Sequence, residues 1–177
     1  MNKSEKASES TKALYALDAN VFIQAHRAYY AFDIAPGYWA ALLKHEAQGL
    51  VVSIDRVRDE LLSGGKADAL EQWLKKTAPE TLFDSSKDVT VANTYAAMMQ
   101  WVQEHPRFKP EAKTEFAGVA DGWLLAYAKV HDLTVVTQEK NNPDKTNKVL
   151  IPVMGVQFGV KCIDTFDLLR ALKTRLN

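Results

Sequence analysis

Four short apolar runs limit what this chain can become: residues 13–17, 50–54, 133–137 and 160–163. Each is too short for a core helix and shows little polar alternation. Such runs read as strands buried on both faces, which is the pattern of a parallel sheet. Parallel neighbours cannot be joined by tight hairpins, so each strand requires a crossover. The segments between the runs carry helical periodicity. The fold class that follows is α/β with a mainly parallel central sheet.

The intervening segments can be read one by one. Residues 21–31 have helical spacing. Pro36 suits the first turn of a second helix that runs to about Gln48, with Trp39, Leu42, Leu43 and Ala47 as its stripe. Asp55 is placed to cap a helix carrying Val57, Leu61 and Leu62, which Gly64-Gly65 ends. Residues 67–76 form another, with Leu70, Trp73 and Leu74 inward. Residues 79–87 connect, with a short extended piece at 81–83. The longest helix spans 88–104, where Val91, Tyr95, Met98, Met99 and Val102 keep the helical period. Pro110 opens a short helix. Residues 119–131 are apolar on several faces and should be largely buried. Residues 149–158, with one proline and one glycine, read as irregular, and Asp164 caps a final helix.

The 177 residues suit one domain, and the balance of 22 basic against 22 acidic residues argues against a protein that coats nucleic acid by bulk charge. Residues 1–12 are polar and read as a tail, leaving 13–177 as the domain. They have no apolar core, so a signal peptide is not expected. No stretch is long and apolar enough for a bilayer span, so no membrane association is expected. A single cysteine, Cys162, leaves no internal disulfide. A cytoplasmic location is the expectation.

Four acidic residues sit in or beside apolar sequence. Asp18 ends the first strand. Glu60 shares a helical face with Val57. Asp121 shares one with Leu124, Leu125 and Ala128, and Glu139 follows the third strand. In a parallel sheet all four can gather at one edge, where open α/β sheets place their ligands. Taken singly, Asp18 could cap the next helix and the two glutamates could be solvated. Gathered, they require a counter-charge: two carboxylates ~4 Å apart repel by about 4 kcal/mol at an effective dielectric near 20. An all-oxygen set favours Mg²⁺ or Mn²⁺ over zinc, and such sites commonly hydrolyse phosphodiesters.

The sequence Leu17-Asp18-Ala19-Asn20-Val21-Phe22 resembles the opening motif of PIN-domain nucleases. Val52-Ser53 through Val57 to Glu60-Leu61 resembles their second motif, Ala120-Asp121 with Leu124, Ala126 and Ala128 their third, and Val135-Val136-Thr137-Gln138-Glu139 their fourth. The stretch Gln24 to Tyr30, with Phe32-Asp33-Ile34 and Pro36-Gly37-Tyr38-Trp39, resembles a PIN-like branch associated with toxin–antitoxin pairs. The resemblance implies a three-layer α/β/α sandwich and a metal-dependent endoribonuclease. By the same resemblance it would be a VapC-type toxin held by a protein antitoxin. Asp18, Glu60, Asp121 and Glu139 would be the catalytic carboxylates and hold Mg²⁺ or Mn²⁺. Asn20, Ser53 and Thr137 would orient waters and carboxylates. RNA contacts are assigned to Arg27 and Lys140, and a homodimer is left open. The chain departs from the pattern at Ala19, where many members carry a hydroxyl, and at Glu139, where Asp is usual.

Two other readings compete. One is a PIN-like module that binds a partner or RNA without catalysis. The other is a structure-specific DNA nuclease, or a phosphatase, on a similar sheet. His26 could reach a phosphate. The aromatic group Tyr29, Tyr30, Phe32, Tyr38 and Trp39 could stack bases, although core or interface is the commoner use.

Overall fold

The computed structural model describes residues 14–64 and 68–176. The tail expected over 1–12, and the starts of the first strand at Ala13 and of the helix at Ala67, lie outside them. Five strands form one sheet: β1 (Tyr15–Leu17), β2 (Val51–Ile54), β3 (Phe83–Asp84), β4 (Thr134–Val136) and β5 (Cys162–Ile163). Their order is β3-β2-β1-β4-β5, and every neighbouring pair is parallel.

The chain steps outward from β1 to β2 and β3, then crosses back to β4 and β5. Right-handed crossovers put the helices of the outward path on one face and those of the return on the other. The first set is α1 (Ala19–Gln24), α2 (Pro36–Ala47), α3 (Asp55–Ser63) and α4 (Ala69–Lys76). The second is α5 (Val89–Glu104), α6 (Pro110–Gly118), α7 (Asp121–His131) and α8 (Ile151–Phe158), with α9 (Thr165–Ala171) after β5. Contacts follow the division: α3 touches α1 and α4, and α7 touches α5, α6 and α8. The result is a three-layer α/β/α sandwich.

The burial pattern explains why the strand runs lack alternation. All four residues of β2 are buried, because helices cover both of its faces. As expected, α7 is buried on several sides, with Leu124, Leu125, Ala126 and Ala128 fully enclosed. Each such leucine contributes roughly 1.5–3 kcal/mol. The aromatic group near α2 is core: Tyr30 stacks on Tyr38 at 4.4 Å and Phe32 on Trp39 at 4.0 Å, with Trp73 closing the cluster. Tyr29 alone stands half exposed.

Several local expectations are corrected. Residues 149–158 are not irregular. Pro152 lies in the first turn of α8, where its missing N–H costs no helical bond. Gly155 lets α8 approach β5, since a Cβ there would lie 2.6 Å from the Val160 carbonyl and 2.7 Å from Cys162 Sγ. The helix then stops at Gly159 in the left-handed conformation. The helix expected over 21–31 begins at Ala19 and gives way after Gln24 to a π turn, Ala25–Tyr29. Asp55 does not cap α3 from outside. It is the first helical residue, and its Oδ1 accepts from Ser86 instead. Ala47, expected on the inner stripe of α2, is exposed, and His45 is buried there.

Candidate functional site

The strand order reverses between β1 and β4, which is where open α/β sheets leave a crevice beyond the strand ends. Asp18 follows β1 directly and its N–H donates to the Val136 carbonyl at the end of β4, 3.0 Å away. The side chain is 1% exposed. Although Asp18 stands at the cap position of α1, its carboxylate takes no bond from the helix amides. Its Oδ2 accepts instead from Thr137 Oγ1 at 2.8 Å and from Asn20 Nδ2 at 3.3 Å. Asn20 and Thr137 are thus the two side chains that donate to this carboxylate. Ser53 turns elsewhere. Its Oγ donates to the Leu17 carbonyl at 2.7 Å, pinning β2 to β1 just ahead of Asp18.

Glu60 on α3 reaches the start of α7, where its Oε2 accepts from the Ala120 N–H at 3.1 Å. That bond sets Glu60 beside Asp121. The two line one depression of about 190 Å³ with Asn20, Glu115, Phe116, Val149 and Lys148. Asp18 lies behind Asn20 rather than on the depression's surface. Glu139 follows Thr137, and its N–H donates to Thr137 Oγ1 at 3.2 Å. Its Oε2 accepts from the Ile151 N–H at 2.7 Å, the first residue of α8. Lys148 Nζ stands 2.7 Å from Glu139 Oε1, a close ion pair.

The four carboxylates act on one another. Burial first, then the charges of Asp18, Glu139 and Glu60, push the Asp121 carboxyl up to about 8, with Lys148 opposing. Burial also pushes Asp18 up to about 6. The Thr137 and Asn20 bonds lower it, and the charges of Glu139 and Glu60 raise it. For Lys148, burial works against the ammonium, but its partner Glu139 holds the pKa above the ordinary value.

This donor set fits Mg²⁺ or Mn²⁺ in kind: it is all oxygen and crowded with like charge. Its arrangement is less complete. Among the described residues no group of three or more His, Cys, Asp or Glu side chains forms a ready metal cluster. Glu60 and Glu139 each spend one oxygen on a backbone amide, and Lys148 faces Glu139's other oxygen.

The expected RNA contacts are dispersed. Lys140 pairs with Asp164 at 3.2 Å and is largely exposed, while still lining a second depression beside Glu139. Arg27 is exposed in the π turn, and it is the preceding α1 that reaches the depressions, through Asn20 and Gln24. His26 stacks near Phe32 and stands 3.8 Å from Asp68, so it serves the core edge. Lys148 is not among the site residues that the sequence singled out. Its signal was position: it directly precedes the apolar Val149-Leu150-Ile151 that enters α8. Glu115, on exposed α6, carries no comparable local signal.

No helix among the described residues is long and apolar enough to cross a membrane. No curated protein is significantly similar to the chain. Residues 15–176 match the family described as Domain of unknown function (DUF4411), and the chain belongs to that family.

Proposed function

We propose that this member of the family is a Mg²⁺- or Mn²⁺-dependent endoribonuclease. The observation that carries the reading is the crowding at the β1/β4 crevice. There Asp121 is driven up to about 8 by burial and by three other carboxylates, Asp18, Glu139 and Glu60. Strongly perturbed carboxyls gathered in a crevice are candidates for a functional site. The choice of RNA, and of a toxin controlled by an antitoxin, follows from the PIN-like motifs around these four residues.

Asp18, Glu60, Asp121 and Glu139 would hold the ion, which supplies Lewis acidity toward water and phosphate when bound. The chain's own groups prepare that event. Thr137 and Asn20 fix Asp18 in one orientation, and Thr137 links it to the backbone of Glu139. Phe116 and Val149 give the depression part of its wall between the charged groups. Burial and the neighbouring carboxylates favour the protonated form of Asp121 in the ion-free protein, and Asp121 would give up that proton in order to hold a cation, so binding would release protons.

A second reading has its own observation. Lys148 already supplies a cation to Glu139, which suits a module that binds a partner or RNA without a metal. One experiment separates the two. Wild type and Asp18→Asn are incubated with total RNA and Mn²⁺, cleavage sites are mapped, and DNA oligonucleotides are run alongside. Cleavage of RNA by wild type alone is expected. RNA left equally intact by both, together with a Mn²⁺ titration that shows no binding, sinks the enzyme reading. Preferential cutting of DNA would replace the substrate.

A further inference from the structure

The depression at Glu60 and Asp121 does not stand alone. It shares Asn20 and Lys148 with a second of about 400 Å³, which Lys140 and Lys145 also line. It shares Glu60 and Val119 with a third of about 500 Å³, lined by Arg56 and Trp123. The three make one trough. Lysines stand toward one end around Glu139, Glu60 and Asp121 lie in the middle, and Arg56 is at the other end, where Asp59 also lines the wall. In a chain of zero net charge, that is a local arrangement of cations on both sides of an acidic centre.

Arg56 is exposed yet held. Its Nε donates to Ser86 Oγ at 3.1 Å, and Ser86, fully buried, donates in turn to Asp55 Oδ1 at 2.6 Å. Its guanidinium carbon lies 3.9 Å from the centre of the Trp123 ring. Trp123 is itself stacked on Tyr95, with centroids 3.9 Å apart and planes 13° from parallel. Asp55, the nearest acid in sequence, spends Oδ1 on Ser86 and on the Arg56 backbone N–H. Among the described residues no carboxylate forms an ion pair with Arg56. A surface arginine with no anionic partner is usually mobile. Here Ser86 and the aromatic stack fix the plane, and the terminal amino groups are left to face the trough. A fixed fork of N–H donors matches phosphate oxygens, and its preorganisation lowers the entropy cost of binding them. Arg56 and Glu60 are four residues apart on α3, so they share a face about one turn, ~5.4 Å, apart.

We propose that Arg56, clamped by Ser86 and Trp123, holds a backbone phosphate of single-stranded RNA beside the bond presented to the carboxylates. The identity of the strand rests on the nuclease reading above, while the phosphate site rests on the clamp. The strand would enter past Lys140 and Lys145, cross the acidic centre and leave over Arg56.

The test uses the full chain carrying Asp18→Asn to prevent cleavage, a labelled single-stranded RNA oligonucleotide and Mg²⁺, read by fluorescence anisotropy across a salt series. Arg56→Gln is expected to weaken RNA binding about tenfold and to reduce the salt slope by ~0.7, the loss of one phosphate contact on a single strand. Arg56→Lys, which keeps the charge but not the fork or the stack, should recover only part of the affinity. In the Asp18→Asn background Arg56→Gln should lower thermal stability only slightly, since apart from the Ser86 and Trp123 contacts the side chain is exposed. With Asp18 intact it should leave Mn²⁺ binding unchanged. Unaltered affinity and slope in Arg56→Gln overturn the proposal, even if wild type cuts RNA. Weakened binding in Arg56→Gln, with no cleavage by wild type, keeps the phosphate site and removes the nuclease reading instead.

Discussion

Asp18 and Asp121 bear the same group in the same crevice, and the molecule holds them in opposite ways. Asp18 stands at a strand end, where the β1–β4 register brings Thr137 alongside it and the start of α1 brings Asn20. Its buried carboxylate is met by two donors. Asp121 stands on a helix start, and among the described residues burial and repulsion dominate it, with no hydrogen bond easing its charge. Strand ends are fixed by the ladder beneath them, so the polar groups there can be matched bond for bond. A helix start that is met from the opposite layer, as α7 is at Ala120 by Glu60 of α3, brings charges together without matching them. One half of the site is therefore preformed. The other half stores repulsion, and it is the half a cation or a proton would relieve.

The sharpest way to break that contrast is at Asp121. The folded protein holds its pKa at about 8 against an ordinary 3.8, so between those values the native state binds the proton and the unfolded chain does not. The stability this group contributes is complete below about pH 4 and is lost as pH rises through about 8. Asp121→Asn cannot ionise. It should raise the stability of the metal-free protein at pH 8 by ~3 kcal/mol, roughly half of what ~1.4 kcal/mol per unit would give for a fully enclosed group. The gain should vanish near pH 4. Denaturant melts in chelator at both values test this, and a destabilised variant at pH 8 would make Asp121 a structural residue.

The same contrast explains what could be read from the sequence. Short apolar runs announce buried strands because burial on both faces leaves no room for polar alternation, so β1, β2 and β4 were legible to within two or three residues. Asp18, Glu60, Asp121 and Glu139 stood out because a carboxylate within apolar sequence needs a reason. Helix α8 was hidden because Pro152 and Gly155 are breakers by local rule. Here Pro152 falls in the first turn, and Gly155 serves a close approach to Val160 and Cys162 from another element. Edge strand β3 is only two residues long and barely registers as a pattern. Ser53 shows the same limit at the site: its hydroxyl lies near the carboxylates in sequence logic but reaches the Leu17 carbonyl. The Arg56–Ser86 and Lys148–Glu139 pairings join distant segments, and no local signal specifies such partners.

On the preformed half the expected sign is the reverse. Thr137→Val keeps the shape and removes the donor to Asp18 Oδ2 at 2.8 Å. A hydrogen bond to a charged group contributes ~1.5–3 kcal/mol, so the variant should lose about 2 kcal/mol at pH 8. That bond lowers the pKa of Asp18, which stands at about 6 in its presence, so its removal raises the pKa further. The loss should then shrink below about pH 5, where the carboxyl is neutral with or without Thr137. If Thr137→Val and Asp121→Asn shift stability in the same direction at pH 8, the division into a matched and a repelling half is wrong.

The smallest effect is expected at Lys148, which among the described residues is the cation that touches both halves. It stands against Glu139 Oε1 and lines the depression with Glu60 and Asp121. A divalent ion entering there would meet its ammonium, and two like charges ~4 Å apart cost about 1 kcal/mol even in bulk water. Lys148→Met keeps the apolar stem and removes the charge, so it should tighten Mn²⁺ binding roughly fivefold at low ionic strength, less so at 0.15 M salt as screening grows. It should also destabilise the metal-free protein slightly, because Glu139 loses its partner. Calorimetric titration with Mn²⁺ in the absence of RNA reads both salt conditions directly. An unchanged affinity would mean that no ion binds within reach of the Lys148 charge. A weakened affinity would instead mean that Lys148 holds Glu139 in place for the ion rather than standing in for it.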